Sequence, residues 1–189
     1  MQEINIIGGV YKLPINKKII LSIVLVILWA GLIFIMSSMN TNESNDKSKS
    51  TINKVVESTM ETTNDLGITD KHPSENKMKQ VIEKLNGPLR KVAHASEFCI
   101  LAILVCICLK AFKIKKHKII IFSILCSFLY ACTDEYHQSF VQGRTSQFTD
   151  VLIDTAGAVI GVILISFIFY LKDKRHNLKA KEEKITNTN

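Results

Sequence analysis

The chain has 189 residues, of which 47% are apolar, and a formal net charge of +7. This length allows one small soluble domain, but the apolar residues are grouped in long runs and do not follow the period of a core helix. The five cysteines show no CxxC spacing, which argues against a disulfide framework or a zinc knuckle.

Four apolar runs have a length suited to crossing a bilayer, which takes about 20 residues. We predict spans over residues 19–39, 92–112, 119–133 and 151–171, the third being the shortest. The predicted fold class is therefore all-α: a polytopic membrane protein with four transmembrane helices in a bundle. Its membrane domain covers residues 19–161, between an N-terminal segment (1–18) and a polar tail (172–189).

Basic residues predict the orientation of the bundle. They precede the first run, fill the link between the second and third, and follow the fourth: Lys12, Lys17, Lys18, Lys110, Lys113, Lys115, Lys116, Lys118, Lys172, Lys174, Arg175, Lys179 and Lys181. The positive-inside rule then places both termini in the cytoplasm and residues 40–90 and 134–150 outside the cell membrane. Because these lysines lie where topology requires them, they do not indicate a nucleic-acid partner.

The first external segment, residues 40–90, is predicted to hold two short amphipathic helices. Apolar side chains recur at helical spacing from Ile52 to Leu66, ahead of Gly67, and again from Met78 to Leu85. Gly87-Pro88 is expected to break the chain and open the second span, because proline suits a first helical turn.

The second span begins with a polar face. Arg90, His94 and Glu97 fall within about 60° of one another on a helix, and Lys91 lies beside them. The His-x-x-Glu pair could bind a metal, or act as a base with its orienting carboxylate. The alternative is an interfacial cluster of ion pairs.

A second polar cluster follows the third span. If the helix continues through it, Asp134, His137 and Gln138 share a face, with Glu135 turned aside. Arg144 follows in a loop with no other positive residue, and its planar fork suits a phosphate or a carboxylate. A structural partner for it would be one of three acids: Glu97, Asp134 or Asp150.

The fourth span starts with a stripe about 60° wide that holds Asp150, Asp154, Gly157 and Gly161. Small residues let a neighbouring helix approach closely, so this stripe should face the bundle. Asp154 lies a full turn inside the span and requires a partner, because an unpaired charge in lipid is costly. The cations available on the same side are His94, Arg90, Lys91 and Arg144.

Taken together, these motifs resemble the VanZ-like family of bacterial membrane proteins. They are, in order, Trp29…Phe34-Ile35-Met36-Ser37-Ser38, Lys91-x-x-His94-x-x-Glu97-Phe98, Asp134-Glu135-x-His137-Gln138-x-Phe140-Val141-x-Gly143-Arg144, and Asp150-Val151 with Gly157-x-x-x-Gly161. The resemblance implies a small multi-helix membrane protein, and the family's founding member gives low-level resistance to the glycopeptide teicoplanin. Three positions depart from the pattern: Met39 replaces a usual glutamine, Gln142 a frequent proline, and Asp154 a common asparagine.

The leading expectation is an outward-facing polar site that binds or alters a cell-envelope component, such as an envelope lipid or a wall precursor. In an enzymatic version, His94 or His137 is the general base, Glu97 or Asp134 orients it, and Arg144 holds a phosphate or carboxylate of a lipid-linked substrate. The site then comprises candidate catalytic residues (His94, Glu97, Asp134, His137) and candidate substrate-binding residues (Arg90, Lys91, Glu135, Gln138, Arg144, Asp150, Asp154).

No cofactor is predicted. A metal held by the four candidate catalytic residues is a weaker alternative, because their spacing does not match an HExxH helix. The competing class is a non-enzymatic scaffold or binding protein whose polar residues form a structural network.

Overall fold

The computed structural model describes residues 3–6, 9–12, 17–39, 41–65, 75–144 and 146–186. Within these residues an antiparallel hairpin of β1 (Glu3–Ile6) and β2 (Gly9–Lys12) is followed by five helices. The helices are α1 (Lys17–Ser37), α2 (Thr41–Asp65), α3 (Glu75–Ala111), α4 (Lys116–Gln138) and α5 (Phe148–Thr186). Sequence periodicity did not indicate the small hairpin.

Four helices in the described part of the chain are long and apolar enough to cross a membrane. The qualifying stretches are Lys17–Ser37, Ile82–Ala111, Lys116–Gln138 and Phe148–Ala180. Large apolar side chains point outward from them, as on α1, where Ile27, Leu28 and Ile35 are each 64% exposed. Exposure of this kind suits lipid contact, so the predicted all-α membrane bundle is confirmed.

Two helices run further than the apolar runs indicated. The third span was expected to end at residue 133, but α4 continues to Gln138 and keeps Asp134 on the helix. The polar tail predicted from residue 172 is helical as far as Thr186. Its Lys, Glu, Leu and Ala residues are good helix formers, and they extend the helix where the apolar pattern has already stopped.

The expected break at Gly87-Pro88 is wrong. α3 runs without interruption from Glu75 to Ala111 and contains Pro88, so the second predicted amphipathic segment is the first part of this helix. Lys84, Gly87 and Pro88 are all exposed, so water can satisfy the carbonyl that proline leaves without an N–H partner. The first amphipathic segment lies on α2, although Leu66 and Gly67 fall outside the described residues.

Close packing of α3 against α5 is the largest helix contact. A Cβ atom added to Gly157 would clash with the carbonyl oxygen of Ala95, and one added to Gly161 would clash with that of Cys99. The two glycines therefore let the two backbones meet, as the Gly-x-x-x-Gly stripe predicted.

α1 is held against this pair by hydrogen bonds and by a shared apolar cluster. Trp29 Nε1 donates to the carbonyl oxygen of Glu97 at 2.9 Å, and the Tyr130 hydroxyl donates to that of Ala30 at 2.6 Å. The buried members of the cluster come from all four spanning helices: Ile33, Phe98, Leu101, Ala131 and Val151. These contacts bring the C-terminal ends of α1 and α4 to the same end of the bundle as Glu97 on α3 and the N-terminal end of α5.

Candidate functional site

His94 joins three helices at this end of the bundle. Its Nδ1 lies 3.0 Å from Glu97 Oε2 one turn along α3, and its Nε2 lies 2.9 Å from Asp134 Oδ2 on α4. Asp154 on α5 approaches the same nitrogen, with Oδ2 at 3.5 Å from Nε2. The His94 and Phe98 rings also pack edge to face, with 5.3 Å between ring centroids. An imidazole is thus enclosed by three carboxylates on top of an apolar core.

This arrangement constrains where the protons lie. An ionised carboxylate only accepts hydrogen bonds, whereas a neutral imidazole donates from one nitrogen alone. With Glu97 and Asp134 facing the two ring nitrogens, either His94 carries protons on both nitrogens or one of the carboxyl groups is protonated. The cluster therefore holds one proton more than a neutral imidazole among ionised carboxylates would carry.

The Asp134 side chain is almost completely enclosed, with 1% of its surface exposed. Gln138 Nε2, one turn along α4, donates to its Oδ2 at 2.7 Å. The other oxygen, Oδ1, and the buried Ser37 hydroxyl make no hydrogen bond of ordinary geometry, although the two side chains lie close enough to interact. Ser37 thus adds α1 to the set of helices around the cluster.

Two aspartates on α5 differ sharply in their surroundings. Asp150, in the first turn of the helix, is paired with Lys91 at 2.5 Å between Oδ1 and Nζ, in partly exposed surroundings. Asp154 is 1% exposed, and its Oδ2 has no hydrogen-bond partner. The His94 nitrogen within ion-pair distance of it is already hydrogen-bonded to Asp134.

Glu135 is not turned aside as the helical projection suggested. It is buried, and its Oε2 accepts a hydrogen bond from the backbone N–H of Gln147 at 3.0 Å. The loop between α4 and α5 folds back over the last turn of α4, so a side chain that would otherwise face water is covered. This is a correction to the sequence interpretation.

Arg144 bonds to carbonyl oxygens at the end of α1 rather than to the acids expected as its structural partners. Its Nε donates to the Met39 carbonyl at 3.1 Å, and one Nη lies 3.5 Å from that of Met36. A cation at a helix C-terminus is favoured by the helix dipole. Burial lowers the pKa of Arg144 and nearby Arg90 lowers it further, while the Asp134, Glu135 and Glu97 carboxylates oppose the shift.

His137 faces a different neighbour from Asp134. Its Nε2 lies 3.0 Å from the Ser38 hydroxyl, and its ring stacks on Phe34 at 4.4 Å between centroids. These contacts fasten α4 to the end of α1. His137 is not among the described residues that line the cavity beside His94.

A cavity of about 480 Å³ opens beside the His94 cluster. Its lining includes nine of the eleven predicted site residues: His94, Glu97, Arg90, Lys91, Glu135, Gln138, Arg144, Asp150 and Asp154. Asp134 lies behind His94 and Gln138, and His137 lies on the α1 side. Sequence reasoning left Ser37, Ser38 and Gln147 out of the site, although the two serines end an apolar run and belong to the first motif of the family resemblance.

The cluster does not have the geometry of a metal site. Among the residues that the structure describes, no three or more His, Cys, Asp or Glu side chains are arranged to hold a metal ion. Both nitrogens of His94 face carboxylates, and the predicted fourth ligand, His137, contacts α1. His94, Glu97 and Asp134 are thus engaged with one another by hydrogen bonds.

Four helices suited to spanning a membrane, with a charged cavity at one end of the bundle, define a polytopic helical membrane protein. The sequence matches the VanZ/LLP1 family over residues 22–170, which is most of the chain. The chain therefore belongs to the VanZ/LLP1 family, as its motifs predicted. No curated protein and no solved structure showed significant similarity to it.

Proposed function

We propose that this protein uses the cavity beside His94 to bind or alter a component of the cell envelope, and so lowers the access of a glycopeptide antibiotic to its target. The cavity faces outward in this proposal, with both termini in the cytoplasm. The lysine distribution supports that orientation, because basic residues collect at the opposite end of the bundle.

The observation that carries the proposal is the buried Asp154 carboxylate. Its Oδ2 lacks a hydrogen bond, although Asp154 lines a cavity large enough for a small molecule or a headgroup. Buried polar groups are almost always satisfied, and an exception in a pocket points to a missing partner. The chain belongs to the VanZ/LLP1 family. The association of that family with teicoplanin resistance suggests that the missing partner is a component of the cell envelope.

A structural network is the second candidate. His94 connects α3 to α4 and approaches α5, and an imidazole bridging carboxylates could serve only to hold the bundle together. In that case substitutions in the cluster reduce the amount of folded protein. A binding site predicts a separation, in which folded protein persists while the phenotype is lost.

The test compares near-isosteric variants in cells that carry the gene. Glu97→Gln, Asp134→Asn and Asp154→Asn remove charge and retain shape. His117→Asn and Asp173→Asn are matched controls, because both residues are partly or fully exposed at the opposite end of the bundle. Teicoplanin susceptibility is measured beside the membrane level of each variant. The proposal expects resistance to fall in the cluster variants at an unchanged protein level, and unchanged resistance in all three would refute it.

A further inference from the structure

The charges around the cavity do not balance among the described residues. Even with two protons on His94, four cations face five carboxylates. The cations are His94, Arg90, Lys91 and Arg144. The carboxylates are Glu97, Glu135, Asp150 and Asp154 in the lining and Asp134 directly behind it, against His94. An excess negative charge in partly buried surroundings is costly unless a proton or a cationic ligand offsets it.

Among the described residues, Asp154 is the lining carboxylate that has an unsatisfied oxygen. Lys91 neutralises Asp150 at the partly exposed edge, and Glu135 accepts a backbone N–H. Asp154 lines the cavity and its buried Oδ2 lacks a hydrogen bond, whereas Asp134 Oδ1 lies behind the lining, close to Ser37. One unsatisfied acceptor in the lining, Asp154 Oδ2, thus coincides with the surplus charge.

We infer that the cavity binds a primary ammonium group, carried by an envelope molecule, against the Asp154 carboxylate. An ammonium brings one positive charge, which offsets the surplus, and N–H donors, one of which can satisfy Asp154 Oδ2. This inference names the ligand chemistry of the proposed envelope-binding site, and it rests on that proposal for the source of the ligand.

The lining also distinguishes a primary ammonium from a quaternary one. Quaternary ammonium groups have no N–H to donate and are recognised by aromatic faces. No Phe, Tyr or Trp is among the described residues that line the cavity. The carboxylates of Glu97, Glu135, Asp150 and Asp154 line it instead, together with the amide of Gln138.

Purified full-length protein in detergent micelles tests the inference through ligand discrimination. The lipid arm compares phosphatidylethanolamine with phosphatidylcholine, and the soluble arm compares O-phosphoethanolamine with phosphocholine. Affinity is read from the shift in the unfolding temperature, followed by the fluorescence of the single tryptophan, Trp29. We expect each ethanolamine compound that binds to do so at least tenfold more tightly than its choline analogue. Binding in the lipid arm alone identifies a headgroup as the source, and binding in the soluble arm alone identifies a free amine.

Two variants complete the experiment. Asp154→Asn should weaken binding of the ethanolamine compounds at least tenfold, while Asp173→Asn, on the same helix and paired with Lys116 at the far end, should bind as the native protein does. If Asp154→Asn does not fold, the comparison of ethanolamine with choline compounds in the native protein decides alone.

Three outcomes overturn the inference: equal binding of the ethanolamine and choline compounds, no binding of either ethanolamine probe, or unaltered binding in folded Asp154→Asn. Stabilisation by Ca²⁺ alone that is lost in Asp154→Asn also overturns it, in favour of a cation site. Because these measurements do not involve teicoplanin, they can fail while the cellular test succeeds, and the reverse also holds.

Discussion

Nε2 of His94 lies 2.9 Å from Oδ2 of Asp134, and this contact joins α3 to α4 across 40 positions of sequence. The same nitrogen is 3.5 Å from Asp154 on α5, so one imidazole separates acids that would otherwise repel each other. Its removal should therefore destabilise the bundle by more than the loss of one hydrogen bond.

For His94→Asn we expect a loss of about 3 kcal/mol in the free energy of unfolding, because breaking a buried ion pair leaves uncompensated charge. Thermal unfolding of the purified protein in detergent measures the change. His117→Asn is the control, since His117 is exposed at the other end of the bundle and should unfold as the native protein does. Identical unfolding of the two variants would show that the His94 contacts contribute little to stability.

Gly157→Ala should separate α3 from α5. The added Cβ meets the carbonyl oxygen of Ala95, and a backbone atom in a packed helix cannot rotate away as a flexible side chain could. Overpacking of this kind costs about 1–3 kcal/mol, and Gly161→Ala should behave alike against Cys99. Both changes should lower the unfolding temperature.

Gly31→Ala provides the matched control on α1. A Cβ at that position meets nothing within 4 Å, so the substitution should leave stability unchanged or raise it through helix propensity. If Gly157→Ala proved as harmless as Gly31→Ala, the helices would be able to shift apart without loss, and close backbone contact would not be required.

The glycine stripe shows how far sequence reasoning reaches. Helical spacing was enough to place Asp150, Asp154, Gly157 and Gly161 on one face and to direct that face inward. It could not identify Ala95 and Cys99 as the opposing residues, because the register between two helices depends on their crossing geometry. Long apolar runs likewise predicted the spans but not where their polar extensions end.

The last turn of α4 explains why the predicted site was only partly correct in its geometry. Helical projection grouped Asp134, His137 and Gln138, yet this turn is surrounded by three neighbours. Asp134 and Gln138 face His94 on α3, whereas His137 contacts α1 and Glu135 meets the loop before α5. A helical-wheel projection gives the direction of each side chain, but it does not show which neighbouring helix or loop lies in that direction.

The Lys91–Asp150 pair should contribute little to stability despite its short distance. Its side chains are 44% and 24% exposed, so water screens the attraction. A double-mutant cycle with Lys91→Met and Asp150→Asn should give a coupling energy below about 1 kcal/mol. The more exposed Lys116–Asp173 pair, measured in the same way, should couple no more strongly. A coupling of several kcal/mol for Lys91–Asp150 alone would mean that the mouth of the cavity is dry.

Arg144→Lys should loosen the end of α1 while the rest of the bundle stays intact. The substitution retains the positive charge but loses the planar fork that reaches the carbonyls of Met39 and Met36. We expect amide hydrogen exchange to accelerate severalfold in peptides covering residues 36–39 and 141–144, with no change around Trp29, which remains bonded to the Glu97 carbonyl. Arg175→Lys, on the exposed part of α5, should leave every peptide unchanged. Met36, Met39 and Arg144 all line the cavity, so faster exchange confined to these peptides would also show that the bonds of Arg144 to α1 shape the cavity. Unchanged exchange would mean that the other contacts of the loop before α5 hold it in place.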